Sequence, residues 1–238
     1  MGLGLGLCSQ LGLCSQLGVG FLPTQIGGCI LWLRPDVGIT LVTGVATWAD
    51  QSGAGNNFAQ ATGSKQPTLS ATGGANGGPC LNFASASDQF LSLSSALLAK
   101  SPWTVFVKQL AATPTSQAIS FYVGSTSVGN GFGFEINTSR ALYYSAVAIL
   151  ADSTASSGWE QWTATNTGSL STLRVNGTGQ TISNSTSQPG VPSATTFVGA
   201  SSAAGGVAWN GSISHVIAYN SVLTAPQIAQ VEAYLAAA

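Results

Sequence analysis

The chain has 238 residues, enough for one large β domain or two small ones, and its six basic and seven acidic residues give a formal net charge of −1. Glycine occurs 30 times, and serine and threonine together number 54, so a neutral, hydroxyl-rich surface is expected. Without a basic stripe to neutralise phosphates, the chain is not expected to bind nucleic acid. No apolar window is long enough to predict a membrane span, and the N-terminus lacks the charged start of a secretory signal.

The first 28 residues differ from the rest of the chain. Residues 5–10 are repeated at once as residues 11–16, and leucine alternates with glycine. This period of two places the leucines on one face of an extended segment and leaves bare backbone on the other. We predict that residues 1–28 form an assembly arm along a neighbouring subunit of a homo-oligomer, with a floppy tail as the alternative. The arm would dock through its leucines: Leu3, Leu5, Leu7, Leu11, Leu13 and Leu17.

From residue 29 onward the pattern is that of short β-strands separated by turn residues. Alternating or continuous apolar residues predict strands over 30–33, 103–107, 119–123, 132–136, 141–150, 195–199 and 212–219. Asn176 and Gly177 stand at the tip of a predicted hairpin, where both central positions need positive φ. Many short strands at this spacing indicate a sandwich over residues 29–238.

One helix is predicted, at the C-terminus. Thr224 precedes Pro226 and Gln227, which is the arrangement of a capping box with proline in the first turn. The apolar face of this helix consists of Ile228, Val231 and Leu235. The predicted fold class is therefore all-β, an antiparallel β-sandwich with one short C-terminal α-helix and an extended N-terminal arm.

Two segments near the ends of the sandwich carry a recognisable pattern. Residues 48–57 look like a "W-x-D-x-S-G-x-G-N" segment, and residues 209–220 look like "F/W-x-G-x-I-x-E-V-x-V-Y-N". With the strands around residues 66–69, 81–83 and 90–91, they resemble the concanavalin A-like or laminin-G-like jelly-roll domains that are common in bacteriophage virion proteins and in bacterial surface proteins. The residues that carry the pattern are Trp48, Asp50, Ser52, Gly53, Trp209 and Gly211.

These pattern residues have a structural interpretation. Asp50 and Ser52 are expected to close the turn at Ser52 and Gly53 through side-chain to backbone hydrogen bonds. His215 replaces the acidic residue that the family usually shows, and a lone histidine in a strand is interpreted as a hydrogen-bonded structural residue. Five aromatic rings are expected to fill the space between the sheets: Trp48, Phe83, Phe90, Trp103 and Trp209.

Catalytic and metal chemistry is not predicted. Glycoside hydrolases of this broad fold need two carboxylates roughly 5 to 9 Å apart, and the chain has no E-x-D-x-x-E strand. Glu135 with Glu160 is the remaining candidate pair, and we assign no catalytic residue. Calcium is bound by some relatives, but the acids are too scattered to define a cage, and no cofactor or metal is predicted; Asp50, Asp88 or Asp152 would be the ligands if one were bound.

The cysteines do not form a metal pattern. Cys8, Cys14, Cys29 and Cys80 include no C-x-x-C pair, and the single histidine is far away in the sequence. Free thiols are expected, with disulfides as the alternative.

Four aromatic residues are candidates for binding sugar, because sugars stack on exposed rings. They are Tyr143, Tyr144, Trp159 and Trp162. Tyr143 and Tyr144 are adjacent and Trp159 and Trp162 are three apart, so in a regular strand the members of each pair face opposite sides. The alternative is that the inward ring of each pair packs and the outward ring is ordinary surface.

The resemblance and the arm together imply a non-enzymatic bacteriophage structural protein, a capsid decoration or head fibre protein. Its arm would dock on the major capsid protein or a sister subunit, and its location would be the virion, assembled in the host cytoplasm. The alternative is a lectin-like adhesin or tail component that binds host cell-surface glycans. A glycoside hydrolase is the third and most remote hypothesis.

Overall fold

A computed structural model describes residues 20–95, 97–98, 102–112, 117–124, 131–137, 139–144, 147–152, 158–168, 170–180, 195–204 and 207–238. In this part of the chain, two antiparallel sheets form the sandwich that the sequence predicts, and one α-helix, α1 (Ala225–Ala237), follows the last strand. No helix among these residues is long and apolar enough to cross a membrane.

The first sheet, sheet A, contains the first and the last strand of the described chain. Its strands are β1 (Cys29–Leu33), β5 (Thr68–Ser70), β6 (Cys80–Phe83), β8 (Trp103–Ala111), β13 (Glu160–Asn166), β14 (Ser171–Val175), β15 (Thr178–Gln180) and β17 (Gly211–Tyr219). They lie in the order β15-β14-β13-β8-β17-β6-β5, with β1 also paired to β17. The long central strands β8 and β17 bring distant parts of the sequence side by side.

The second sheet, sheet B, is built mainly from the middle of the chain. Its strands are β2 (Ile39–Leu41), β3 (Val45–Trp48), β4 (Phe58–Ala59), β7 (Leu91–Leu93), β9 (Ala118–Gly124), β10 (Gly131–Asn137), β11 (Ser139–Tyr144), β12 (Val147–Asp152) and β16 (Thr196–Val198). Their order is β12-β11-β10-β9-β16-β7-β4-β3-β2. The segment 141–150, predicted as one strand, contains parts of two strands, β11 and β12, in which Tyr144 pairs with Val147.

The core between the sheets is apolar and rich in aromatic rings. Trp48 and Trp209 are fully buried there, and Trp103 stacks against Phe132 with ring centroids 4.3 Å apart. The expectation that these rings fill the sandwich is confirmed, as it is for Phe83. It is wrong for Phe90, which directly precedes β7 and whose ring meets outward-facing residues of β9 and β16. Phe90 therefore packs in a separate cluster, with Ile119, Tyr122, Phe197 and Ala200.

The turn after β3 has the hydrogen bonds that the sequence predicts. Asp50 Oδ1 accepts from the backbone N–H groups of Ser52 (2.8 Å) and Trp32 (2.9 Å), and Asp50 Oδ2 accepts from the Ser52 hydroxyl (2.7 Å) and the Asn56 N–H (3.0 Å). Gly53 follows with φ of +88°. The carboxylate therefore joins β1 to the turn, and its oxygens are occupied by backbone and hydroxyl donors.

Gly211 begins β17 at a position that no larger residue tolerates. Its φ is +148°, and a Cβ placed there would lie 2.0 Å from the Leu110 carbonyl oxygen of β8. The predicted hairpin tip is also present, because Asn176 and Gly177 both have positive φ, at +49° and +76°. These turns fix the ends of β14, β15 and β17.

Helix α1 covers the outer face of sheet A. Its N-terminus has the predicted capping geometry, with the Thr224 N–H donating to Gln227 Oε1 at 2.9 Å. Val231 and Leu235 are fully buried against Trp32, Phe106 and other residues of the outer face. This layer forms a second hydrophobic core, separate from the one between the sheets.

The chain before β1 belongs partly to this outer layer. Residues 21–26 fall within the predicted arm, yet Ile26 is buried and the Tyr219 hydroxyl donates to the Pro23 carbonyl at 2.9 Å. Phe21, Leu22 and Ile26 pack on sheet A, and the arm boundary at residue 28 stays a prediction. The Leu-Gly repeat, with all six predicted docking leucines, lies outside the described residues.

The cysteines of the described chain are free thiols. Cys29 and Cys80 form no disulfide, and burial raises the pKa of Cys29 to about 12 and raises that of Cys80. Cys8 and Cys14 lie outside the described residues.

Candidate functional site

Helix α1 is held on sheet A by polar contacts as well as by its apolar face. Glu232 accepts from the Thr163 hydroxyl at 2.9 Å and from Arg174 Nε and Nη2 at 2.8 and 3.0 Å. At the other end of the helix, the Lys108 ammonium donates to the carbonyls of Leu235 and Ala238. A cation at a helix C-terminus is favourable because the last carbonyls lack helical partners.

A cleft lies on one side of α1, where the start of β13 and the β14–β15 hairpin rise beside the helix. We call it the Trp159 cleft. It has a volume of about 420 Å³. Its lining consists of Ala75, Lys108, Trp159, Glu160, Gln161, Asn176, Gly177, Glu232, Ala233 and Ala236. The small alanine side chains of the helix leave this space open.

Trp159 is the aromatic wall of this cleft. Its indole is half-buried, and it makes no ring contact and no hydrogen bond within the described part of the chain. Beside it, the Gln161 side-chain amide has no hydrogen-bond partner among the described residues. Asn176 Oδ1 accepts from the Gln161 backbone N–H at 2.9 Å, which leaves the Asn176 Nδ2 group as a donor. The cleft thus combines an aromatic face with amide donors and acceptors.

The charged groups around the Trp159 cleft are paired. Lys108 is bound to the helix carbonyls, and burial lowers its pKa. Glu232 is bound to Arg174, and Glu160 is bound to Arg140 by Nε at 3.0 and 3.1 Å. The described lining therefore presents no uncompensated charge to a ligand.

A second, smaller cleft lies on the other side of the C-terminal turn of α1. We call it the His215 cleft. It has a volume of about 290 Å³ and shares Ala75 with the Trp159 cleft. Its lining consists of Arg34, Pro35, Asp36, Ala75, Gly78, Pro79, Ser214, His215, Tyr234, Ala237 and Ala238. The loop after β1 and the loop before β6 form its outer walls.

Of the four predicted sugar-binding residues, the two tryptophans lie on opposite sides of sheet A. Trp159 lines the cleft beside α1, whereas Trp162 is fully buried in the core, where its ring meets Phe134 edge-on at 5.7 Å and its Nε1 donates to Glu160 at 2.8 Å. Trp162 is therefore not available to a ligand at the surface. Tyr143 and Tyr144 lie in β11 of sheet B, and their side chains are outside the described part of the structure.

The Glu135 and Glu160 carboxylates lie on opposite sides of sheet B. Glu160 reaches the inner face of sheet B, because it binds Arg140, which pairs in register with the core residue Ile136. Glu135 pairs with Ile119, which packs in the outer cluster, and so lies on the opposite face. Burial raises the pKa of Glu135, whose only described hydrogen-bond donor is Gln117 at 3.1 Å.

Among the described residues, no three His, Cys, Asp or Glu side chains are grouped to hold a metal ion. The oxygens of Asp50, one of the three acids considered for calcium, are used by its turn. Asp88 ends a short helical turn in the left-handed conformation, and the side chain of Asp152 is outside the described part.

The chain belongs to the concanavalin A-like lectin/glucanases superfamily. The family model with this description, a laminin G model, matches residues 85–229, which is more than half of the chain. The match includes β17 and most of sheet B, and the Trp48–Gly53 pattern precedes it. No curated protein matches the chain.

Solved structures share the fold at low sequence identity. Trypanosoma rangeli sialidase, in a covalent intermediate with 2,3-difluorosialic acid, has a TM-score of 0.64 at 14% identity, over 87% of this chain and 33% of that one. This chain therefore spans about a third of the sialidase.

Two further structures align over a larger share of their own length. Domain 4 of AbnA, a GH43 extracellular arabinanase from Geobacillus stearothermophilus in complex with arabinotriose, has a TM-score of 0.61 at 12% identity, over 87% of this chain and 98% of that domain. The binding domain of Paraclostridial Mosquitocidal Protein 1 has a TM-score of 0.57 at 10% identity, over 91% of this chain and 52% of that one. At these identities the likeness is one of fold.

Proposed function

We propose that this chain is a non-catalytic carbohydrate-binding domain and that its ligand lies in the Trp159 cleft. The observation that carries the proposal is the half-buried Trp159 indole, which has neither a ring partner nor a hydrogen bond in the described part of the chain. By contrast, Trp48, Trp162 and Trp209 are fully enclosed. An open indole beside amide groups is instead suited to stack on a sugar ring while the amides bind its hydroxyls.

The charge of the cleft favours a neutral sugar. Lys108, Glu160 and Glu232 are each compensated by helix carbonyls or an arginine, so a carboxylated sugar would find no free cation among the described lining. A volume of about 420 Å³ lies in the usual range for small-molecule sites, about 300 to 1,000 Å³. The ligand class is therefore a neutral oligosaccharide. A domain of this fold that was solved with arabinotriose lends support.

The arrangement of the acids supports binding without catalysis. A glycosidase needs two carboxylates on either side of the scissile bond, roughly 5 to 9 Å apart. In the described chain, Asp36, Glu160 and Glu232 are each paired with an arginine, and Glu135 lies on a different face from Glu160.

Isothermal titration with neutral arabino-, xylo- and gluco-oligosaccharides, and with sialyllactose as the acidic contrast, tests the proposal. The wild-type chain is expected to bind a neutral oligosaccharide, and Trp159→Ala to weaken that binding by on the order of tenfold or more, since buried aromatic contacts dominate such interfaces. Leu170→Ala, an exposed position in the turn between β13 and β14, is the matched control and should bind normally.

Two outcomes would contradict the proposal. The first is wild-type binding that survives Trp159→Ala unchanged. The second is binding that is lost in Tyr144→Ala and kept in Trp159→Ala, which would move the site to sheet B. Turnover of any of the oligosaccharides would overturn the non-catalytic part.

We further propose that the Leu-Gly repeat assembles the domain on a bacteriophage virion, as a capsid decoration or fibre protein. The support is the sequence repeat itself, together with the resemblance to virion domains. A chain that starts at Gly20 removes the repeat and keeps the packed residues 21–26. Native mass spectrometry should find oligomers only for the full chain, and only the full chain should sediment with phage capsids; equal behaviour of the two chains would contradict this role.

A further inference from the structure

His215 is the single histidine of the chain, and its ring is 6% exposed on the outer face of β17, under the end of α1. Its Nδ1 lies 3.2 Å from the Ser214 hydroxyl, and that hydroxyl donates to the Lys108 carbonyl at 3.5 Å. A Ser214 hydroxyl that donates to Lys108 accepts the proton of Nδ1. We take the ring in this Nδ1–H tautomer, in which Nε2 carries a lone pair, as part of the inference.

Nε2 has no hydrogen-bond partner in the described part of the chain, although the ring forms part of the wall of the His215 cleft. Tyr234 meets the ring edge-on, with centroids 5.8 Å apart. Nε2 is not one of the enclosed polar atoms that lack a partner, so it is accessible from the cleft, where a ligand or water can supply a donor.

The ring stays neutral, so that Nε2 accepts hydrogen bonds at ordinary pH. Burial lowers the pKa of His215 to about 3, and the Lys108 ammonium and the Arg34 guanidinium lower it further, while Asp36 opposes them. These three are the charged groups near the ring, and Tyr234 of α1 is the other titratable group that faces it. A neutral acceptor selects a hydroxyl or N–H donor and does not select an anion.

The other polar groups of the cleft suit the same kind of ligand. Arg34 Nε donates to Asp36 Oδ1 at 2.6 Å, and the pair cancels its own charge. The guanidinium also lies 5.2 Å from the centre of the Trp32 ring, which fixes its plane. Of its five N–H groups, those outside the pair with Asp36 are donors for a ligand oxygen.

We propose that the His215 cleft is a second ligand site, for a small neutral molecule with vicinal hydroxyl groups, of the size of one sugar ring. One hydroxyl donates to His215 Nε2, a neighbouring oxygen accepts from Arg34, and Tyr234 supplies a flat apolar wall. The cleft is at the small end of the range for ligand sites, so it selects a single ring over a chain. The inference does not depend on the Trp159 cleft, which shares only Ala75 with this one.

The test is ¹⁵N NMR of the full chain labelled at histidine, which gives the signals of one imidazole only. Methyl α-glucopyranoside, methyl α-galactopyranoside, methyl α-arabinofuranoside and myo-inositol are the probes, each at millimolar concentration. The expected result is an unprotonated Nε2 in the free protein and a shift of its resonance with at least one probe. The same shift is expected in Trp159→Ala.

Two variants locate the interaction. Ser214→Ala removes the acceptor of the Nδ1 proton and is expected to weaken probe binding about tenfold, as the loss of one hydrogen bond can. His215→Phe keeps a ring of similar shape without the acceptor, and saturation transfer from protein to probe should be lost. Thermal melting shows that each variant is folded, and Ser214→Ala suffices if His215→Phe is not.

The proposal is overturned if Nε2 carries the proton in the free protein, or if none of the probes moves its resonance. It is also overturned if probe binding is the same in Ser214→Ala as in the wild type. Oligosaccharide binding that depends on Trp159, with a His215 signal that does not move, would leave the carbohydrate-binding proposal standing and remove this one. A shift at His215 without oligosaccharide binding would do the reverse.

Discussion

The two sides of sheet A are built on different principles. Its inner side meets sheet B through fully buried rings such as Trp48, Trp162 and Trp209. Its outer side is covered by a single helix that buries Val231 and Leu235 but presents alanines at its edges. Both clefts lie along those edges. Candidate sites therefore arise where a narrow, alanine-rich helix leaves part of a wide sheet uncovered.

The polar contacts follow the same division. The Arg140–Glu160 pair lies inside the sandwich, with side chains 10% and 3% exposed, whereas the Arg174–Glu232 pair lies at the helix edge, with side chains 35% and 11% exposed. Burial makes the inner pair sensitive to the loss of one partner, and solvent reduces the contribution of the outer pair.

Trp162→Ala should produce the largest loss of stability. The indole packs against Phe134 and its N–H is bound to Glu160, so its removal leaves a cavity and takes one of the hydrogen-bond donors from the Glu160 carboxylate. Urea denaturation should show a free energy of unfolding lower by about 3 to 5 kcal/mol. Trp159→Ala, at the outer cleft, is the matched control and should change the free energy of unfolding by less than about 1 kcal/mol. Equal losses would contradict the assignment of one tryptophan to the core and the other to the cleft.

Glu160→Gln should cost about 3 kcal/mol, because it removes the negative charge from a pair whose side chains are only 10% and 3% exposed. The measurement is again the free energy of unfolding in urea. A variant as stable as the wild type would show that the inner pair does not depend on its charge.

Acid should weaken the outer layer through His215. The unfolded chain binds a proton near the ordinary histidine pKa of about 6.5, while the folded ring, with a pKa of about 3, does not. The free energy of unfolding should therefore fall by up to about 1.4 kcal/mol for each unit of pH below about 6. His215→Gln removes this contribution, whereas the acid loss from Asp36, whose pKa is lowered by Arg34, remains in both proteins. If the free energy of unfolding of the wild type and of His215→Gln changed equally between pH 4 and 6, the assignment of a buried neutral ring would be contradicted.

Glu232→Gln should have the smallest effect, about 1 kcal/mol, because Arg174 is partly in solvent and Thr163 keeps an acceptor at this position. The free energies of unfolding of Glu232→Gln and Glu160→Gln are measured by urea denaturation under the same conditions. A loss as large as that of Glu160→Gln would mean that the outer pair fastens the helix as strongly as the inner pair joins the sheets.

Features that depend on neighbours in the sequence were predictable. The Asp50 turn, the Asn176–Gly177 hairpin and the capped C-terminal helix each follow from residues a few positions apart. The alternation that puts Trp162 inside also puts Trp159 outside, but the sequence alone left the inward member of that pair undecided.

The clefts were not predictable, because they depend on contacts between distant segments. The His215 cleft joins the loop after β1, the loop before β6, β17 and α1. Glu232 follows the apolar Val231 on the helix, and only the fold brings it to Arg174, 58 residues earlier in the chain. For the same reason the sequence could not show that Glu135 and Glu160 lie on different faces.

The central claim is that Trp159 is the ring that binds sugar, and the six tryptophans of the chain allow it to be tested in one spectrum. The indole N–H signals are recorded while a neutral oligosaccharide is added, with the Trp159 signal assigned from Trp159→Phe. We expect that signal to move as the site fills, while the signals of the enclosed Trp48, Trp162 and Trp209 stay in place. A Trp159 signal that does not move while the protein binds the oligosaccharide would contradict the assignment of Trp159 as the sugar-binding ring.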